Sequence, residues 1–183
     1  MEVVQPITDK NVIKGIAEYL KSKNERDYVL FCTGIYTGLR IADILELRVF
    51  DVKGQTHIRL KEGKTGKSKR IKISPILLKI YTSYTEGKES YEYLFKSRVG
   101  ENKPITRERA YAILREAASK FGLKQIGCHS MRKTFGYWMY SSSEHNIALL
   151  MDIFNHSKES ITLRYIGLTQ ESKDKAIDDL VIF

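Results

Sequence analysis

The sequence predicts one α+β domain that is mostly α-helical and carries a small antiparallel β-sheet. Apolar residues recur at helical spacing along most of the chain, two short segments alternate as strands do, and no repeat or linker-like break interrupts the sequence. The 183 residues are 42% hydrophobic, which is enough for one sizeable core. We therefore expect a single domain over residues 1–183.

Three helices are predicted before residue 48. The first follows Thr8-Asp9, a helix-start signal, and the second is the apolar run 28–36, which is too long for one strand and stops at Thr37-Gly38. A short third helix is expected to begin near Arg40 and to bury Ile41, Ile44, Leu45 and Leu47.

The middle of the chain predicts the sheet. Residues 57–60 and 70–73 alternate between apolar and polar side chains, and 62–67 (Glu-Gly-Lys-Thr-Gly-Lys) has the composition of a hairpin tip. Before them, 49–52 leads into a turn at Lys53-Gly54. We expect two or three antiparallel strands with a very basic edge.

The remainder is predicted to be helical, apart from a polar loop over 86–104 with a short extended piece at 93–95. Ser74-Pro75 can cap and open a helix, as can Thr106. The later helices are expected near 106–122, 129–142, 145–154 and 158–165, and an amphipathic segment spans 171–181.

The charge balance favours a polyanionic partner. Lysine and arginine number 31 against 22 acidic residues, which gives a net charge of +9. A compact basic domain favours nucleic acid, although charge alone indicates no chemistry. No apolar run approaches the length of a membrane span.

The two cysteines, Cys32 and Cys128, are far apart and match no metal-binding pattern. We interpret both as buried, reduced thiols of a cytoplasmic protein. The first residues also lack the pattern of a signal peptide.

Several polar residues interrupt otherwise structural segments. Each has an ordinary explanation on its own: Arg40 as a solvated helix start, Lys64 in a solvated loop, His156 as a helix cap. The pair His129 and Arg132 shares a helical face but could arise by chance, and Tyr165 is one of eleven tyrosines.

Together these residues fit one chemistry, which is attack of a tyrosine on a phosphodiester. Two arginines can each grip nonbridging phosphate oxygens in a bidentate manner, and two histidines can donate hydrogen bonds as charge builds up. A phenol with a pKa near 10 needs such a cationic pocket, and a lysine can protonate the leaving 5′-oxygen. No metal or cofactor is required.

The order Arg, Lys, His-x-x-Arg, His, Tyr resembles that of the tyrosine recombinases, which include phage integrases and Xer-type enzymes. Phe154-Asn155 departs from the Leu-Gly that usually precedes the family's last histidine. The segments that carry the resemblance are 37–45 (TGLRIADIL), 64–66 (KTG), 129–135 (HSMRKTF) and 156–165 (HSKESITLRY).

The resemblance implies the fold of the recombinase catalytic domain and site-specific DNA recombination or integration without a cofactor. Tyr165 would form a 3′-phosphotyrosine, and Lys64 would be the general acid. Asp43 would hold the active-site residues in their arrangement without contacting the phosphate. Arg40, Arg132, His129 and His156 would activate the phosphate. DNA contacts are expected along 61–72 and 107–120, with these residues singled out: Lys61, Lys67, Lys69, Arg70 and Lys133.

Family members act on double-stranded DNA as tetramers through a Holliday junction. We expect a homotetramer on DNA, a monomer in isolation, an origin in a bacterium, phage or mobile element, and a C-terminal segment, 171–183, that docks on a neighbour. We also expect the chain to lack the family's N-terminal core-binding domain, because only about 36 residues precede the first motif.

Two other classes of function stay open at this point. A non-catalytic DNA-binding module could regulate a full-length recombinase, and a basic protein could bind RNA or ribosomes. Neither gives Tyr165 a special role, so replacing that tyrosine separates both from the enzyme.

Overall fold

The computed structural model describes residues 4–168, 174 and 177–180. Within 4–168 the chain forms helices and one hairpin, as the sequence predicts. The elements are α1 (Lys10–Lys23), α2 (Glu25–Thr37), α3 (Ile41–Leu45), a 3₁₀ turn (Val49–Asp51), β1 (His57–Lys61), β2 (Ser68–Lys72), α4 (Pro75–Tyr84), α5 (Arg107–Ser119), α6 (Cys128–Ser142), α7 (Ile147–Phe154) and α8 (Glu159–Tyr165).

The helix starts agree with the capping signals. Asp9 accepts a hydrogen bond from the backbone N–H of Asn11 at 2.7 Å, and Ser74 caps α4 with Pro75 in its first turn. Thr106 caps α5 in the same way. These side chains satisfy backbone donors that have no partner within the helix.

The sheet has two strands among the described residues. β1 and β2 pair antiparallel, with Ile58 opposite Ile71 and Arg59 opposite Arg70. Residues 49–51 form the 3₁₀ turn and no third strand, since Arg48 makes only an isolated bridge to Tyr93. The loop over 86–104 was expected, and its extended piece at 93–95 makes that bridge.

The core surrounds α2, which packs against α1, α4 and α6. Val29, Leu30 and Phe31 of α2 are fully buried. A polar pair completes the contact with α4, because the Tyr81 and Thr33 hydroxyls lie 2.9 Å apart inside the core. This satisfies two hydroxyls that would otherwise lose their water without compensation.

A second, smaller cluster holds the last helices onto α6. Leu150, Phe154 and Ile166 are fully buried there. Gly136 allows the approach, since a Cβ at that position would lie 2.7 Å from atoms of both Phe154 and Ile166. The cluster therefore carries α7 and α8, with the residues of the last sequence motif, against the helix that bears Arg132.

Both cysteines are buried and unpaired, as expected. Among the described helices, none combines the length and apolar character that crossing a membrane requires. Most of the predicted amphipathic segment at 171–181 lies outside the described residues.

Gly34→Ala should destabilise the protein although alanine is the better helix former. A Cβ on Gly34 would lie 2.4 Å from Sδ and 2.8 Å from Cβ of the buried Met131, where α2 crosses α6. We expect a loss of about 1–3 kcal/mol in the free energy of unfolding, as overpacked cores show. Urea denaturation measures it. A gain of about 0.5–1 kcal/mol, the usual result in an open helix, would contradict this packing.

Candidate active site

Arg40 stands at the turn between α2 and α3. Gly38 ends α2 with φ of +61°, and a Cβ there would lie 2.3 Å from the Phe135 ring. Only glycine fits a left-handed turn so close to another side chain. The turn places the Arg40 guanidinium in the cleft, where its side chain is 19% exposed.

Arg132 reaches the same cleft from α6 and is only 3% exposed. Its Nη1 donates to the carbonyl of Gly38, and its Nη2 lies 3.4 Å from the carbonyl of Phe154. Its guanidinium carbon lies 4.4 Å from the centre of the Phe154 ring. One buried cation thus joins the Arg40 turn to the end of α7.

His156 and Tyr165 meet across the turn between α7 and α8. Asn155 adopts the left-handed conformation, with φ of 55°, and ends α7. His156 then places Nδ1 3.0 Å from the Thr162 hydroxyl. The rings of His156 and Tyr165 lie edge to face at 5.3 Å, and Phe154 packs against both.

Burial and the neighbouring charges shift the pKa of Tyr165 in opposite directions. Burial raises the pKa of Tyr165, while Arg132 and Arg40 lower it without cancelling that effect. Burial and the same two arginines lower the pKa of His156. His129, at the start of α6, also has a lowered pKa, through partial burial and then Arg107 and Arg132. Both imidazoles are therefore neutral near pH 7.

Lys64 lies at the hairpin tip, exposed and without a hydrogen bond or ion pair among the described residues. The preceding residue is anchored, because the backbone N–H of Gly63 donates to Asp43 Oδ1 at 3.0 Å. Asp43 is buried in α3, three residues after Arg40. The supporting role that the resemblance implies for Asp43 stays a prediction.

Sequence reasoning missed Glu62. This residue was assigned only to the hairpin tip, yet its side chain is fully buried in the cleft. Oε1 lies 2.9 Å from Arg40 Nη1 and 3.2 Å from Lys69 Nζ, and Oε2 accepts from the Thr65 hydroxyl at 2.7 Å. A single acidic residue in a run with six basic ones was the available signal.

The Glu62 carboxyl is ionised, and its pKa falls to about 2. Burial alone would raise the pKa, but the hydrogen bond from Thr65, the ion pair with Arg40 and the charge of Lys69 outweigh it. The Arg40 contact is an ion pair without hydrogen-bond alignment. Among the described residues, Arg40 Nη1 thus remains a buried donor with no hydrogen-bond acceptor.

The residues predicted to contact DNA divide into two groups. Lys61, Lys67 and Arg70 are exposed on the hairpin. The structure turns the other two inward: Lys69 Nζ donates to Glu62 and to the carbonyl of Ile153, and Lys133 Nζ donates to the carbonyl of Val4 at 2.8 Å. Neither ammonium is presented at the surface in this conformation.

Arg59, which the sequence did not single out, shares the outer face of the hairpin with Lys61, Arg70 and Lys72. Arg59 and Arg70 are direct cross-strand partners. Like charges in that position destabilise a sheet. An anionic ligand on this face would relieve that repulsion.

Within the described residues, no group of three His, Cys, Asp or Glu side chains is arranged to hold a metal ion. The cleft gathers arginines, histidines and a phenol instead. This composition suits direct contact with a phosphate group.

The phage integrase family matches residues 6–172 of the chain. The chain belongs to this family. A probable integrase/recombinase of Bacillus subtilis, YoeC, is 48% identical, and the alignment covers 94% of each chain. A tyrosine recombinase of Pseudothermotoga lettingae is 28% identical over 87% of this chain and 55% of its own length. This phage integrase family member thus spans about half the length of that relative.

Solved structures share the fold. The crystal structure of XerA recombinase superposes with a TM-score of 0.76 at 19% identity, covering 97% of this chain and 64% of the other. The Tn1549 transposon integrase, solved in complex with a circular intermediate DNA, gives a TM-score of 0.72 at 19% identity, with coverage of 98% and 67%. The predicted fold, that of the recombinase catalytic domain, is confirmed.

Glu62→Gln should lower stability in a manner that depends on pH. The carboxyl titrates near 4.5 in the unfolded chain and near 2 in the folded protein. Its contribution, on the order of 3 kcal/mol at most, is therefore present above pH 4.5 and lost as the pH falls towards 2. Thermal unfolding of the wild type and variant should differ most at pH 7 and converge below pH 3.

Glu46→Gln is the matched control, because Glu46 is exposed at the end of α3. It removes the same charge and should change the melting temperature little at either pH. A difference for Glu62→Gln that stayed constant from pH 7 to 2 would contradict the assigned ion pairs.

Proposed function

We propose that this protein is a site-specific DNA recombinase that cuts and rejoins DNA through a covalent 3′-phosphotyrosine on Tyr165. The arrangement around the phenol carries the proposal. Tyr165 packs against His156, and the charges of Arg132 and Arg40 act on it within one cleft. Separate parts of the chain thus bring the Tyr165 phenol and two arginines together, which supports the proposal.

The proposed cleavage step assigns one role to each group. Arg40 and Arg132 bind the nonbridging oxygens of the scissile phosphate, and the neutral imidazoles of His129 and His156 donate hydrogen bonds to it. Tyr165 Oη loses its proton to solvent water and bonds to phosphorus. The P–O5′ bond breaks, and Lys64 supplies a proton to the leaving oxygen.

Rejoining reverses this step with a different strand. A free 5′-hydroxyl attacks the phosphotyrosine and releases the phenol, so the bond energy is retained and no cofactor is consumed. The substrate is double-stranded DNA, bound by a homotetramer that forms on it from monomers. The docking segment at 171–183 and the cytoplasmic location stay predictions.

The outer face of the hairpin is the proposed surface for the DNA backbone. It presents Arg59, Lys61, Arg70 and Lys72 without an acidic neighbour on the same face. Arg107, Arg109 and Arg115 are exposed on α5 and supply a second contact. Lysine and arginine contacts to phosphates contribute affinity that falls with salt.

Tyr165→Phe tests the chemistry. The wild type should form a protein–DNA adduct that survives SDS with nicked suicide duplexes, in the presence of EDTA. The variant should form none and should still bind DNA, because only a hydroxyl is removed. Tyr91→Phe, which alters an exposed tyrosine, should keep the adduct. Binding without an adduct from the wild type on its native site would favour a non-catalytic DNA-binding module.

Arg59→Gln combined with Arg70→Gln tests the DNA surface. Loss of two phosphate contacts should weaken binding and reduce the slope of log K against log[salt] by about 1.8. Stability should not fall, since the two cations face each other across the strands. The control is Lys53→Gln with Lys79→Gln, a pair that lines another surface groove. Equal losses from both double variants would argue against a specific surface.

A further inference from the structure

The lysine at the hairpin tip is held on both sides by buried carboxylates. Gly63, just before Lys64, donates its N–H to Asp43 at 3.0 Å. Thr65, just after it, donates its hydroxyl to Glu62 at 2.7 Å. Lys64 itself makes no hydrogen bond or ion pair with the described part of the chain, so its neighbours determine where it lies.

Glu62 also closes the hairpin through its own backbone. Its N–H donates to the carbonyl of Lys67 at 2.9 Å, and its carbonyl accepts from Gly66 at 2.8 Å. Thr65 Oγ1 accepts from the N–H of Lys67 at 3.3 Å. The four-residue tip is thus a closed turn, and the Thr65 hydroxyl links it to the Glu62 side chain.

The same carboxylate connects the tip to two other parts of the cleft. Oε1 pairs with Arg40 at 2.9 Å, and Oε2 lies 3.4 Å from Asn155 Nδ2, in the residue before His156. Lys69 strengthens this second link, since its ammonium contacts both Glu62 and the carbonyl of Ile153. Lys67 Nζ lies 3.4 Å from Asn155 Oδ1.

A carboxylate with no exposure is costly to bury unless its partners are well arranged. Here it would also weaken phosphate binding if it only neutralised Arg40. The contact of Glu62 with Arg40 Nη1 lacks hydrogen-bond alignment, however, and the Arg40 side chain stays 19% exposed. The contacts of Glu62 are therefore better suited to positioning than to occupying the phosphate site.

We propose that Glu62 is a positioning residue for strand cleavage, which holds Lys64 at the leaving-oxygen side of the cleft relative to Arg40 and the Asn155–His156 turn. The inference rests on the proposed recombinase function. Proton transfer requires the donor within about 2.6–3.2 Å of the leaving oxygen, so a tip that shifts loses this step before it loses DNA binding.

The test compares two nicked duplexes that differ in one atom. In one the leaving atom is the ordinary 5′-oxygen, and in the other it is sulfur at the same bridging position. A thiolate leaves without a proton, so the sulfur substrate does not need Lys64. Single-turnover adduct formation is measured for the wild type, Lys64→Ala, Glu62→Gln, Thr65→Val and the surface control Glu46→Gln.

We expect Glu62→Gln to slow cleavage of the oxygen substrate by roughly 10- to 100-fold and to recover most of that loss with sulfur, as Lys64→Ala should. Thr65→Val should show a smaller defect with the same recovery. Combining Glu62→Gln with Lys64→Ala should slow the oxygen substrate no further than Lys64→Ala alone, because both affect one proton transfer. Glu46→Gln should match the wild type on both substrates.

Equal slowing of both substrates by Glu62→Gln and Thr65→Val would overturn the proposal, and so would wild-type rates or faster cleavage. Thr65 is exposed, so Thr65→Val decides the question even if Glu62→Gln fails to fold. Failure of the proposed function is distinct, because the wild type would then form no adduct with either substrate.

Discussion

The buried guanidinium of Arg132 is the contact on which the site depends. It donates to the carbonyl that ends α2 and to the carbonyl that ends α7, and it lies over the Phe154 ring. A buried cation needs such partners, because each unsatisfied N–H would cost free energy. Meeting that requirement brings the turns that carry Arg40 and His156 to one place. The residue proposed to bind phosphate thus also assembles the cleft.

The balance of charge in the cleft follows from the same constraint. Two arginines and Lys69 lie close together, and their repulsion is offset by one fully buried carboxylate, Glu62. Compensation is partial, since Arg40 keeps a buried donor without an acceptor among the described residues. A cleft that retains positive potential and free donors is preorganised for an anion. Its histidines stay neutral because burial, and then the neighbouring cations, lower the pKa of both imidazoles.

Local signals explain why so much of the fold could be predicted. Asp9, Ser74 and Thr106 each cap the helix that their position indicated, and the Gly-rich tip between alternating segments forms the β1–β2 hairpin. These features depend on hydrogen bonds within a few residues. Residues 49–51 were harder to assign, because a short apolar run fits a strand as well as a 3₁₀ turn. The conformation of this segment depends on distant contacts, such as the bridge between Arg48 and Tyr93.

The sequence by itself determined the helical class, the hairpin, the basic character and the order of the motif residues from Arg40 to Tyr165, because each follows from local pattern or composition. Only the tertiary structure decided which cations face solvent. Lys61 and Lys69 are both lysines of one hairpin, yet one is exposed and the other is half-buried and paired with Glu62. Side chains alternate between the two faces of the paired strands, and the face that carries Ile58, Leu60 and Ile71 is the one that packs against the core. The role of Glu62 depends in the same way on partners up to 93 residues apart in the chain.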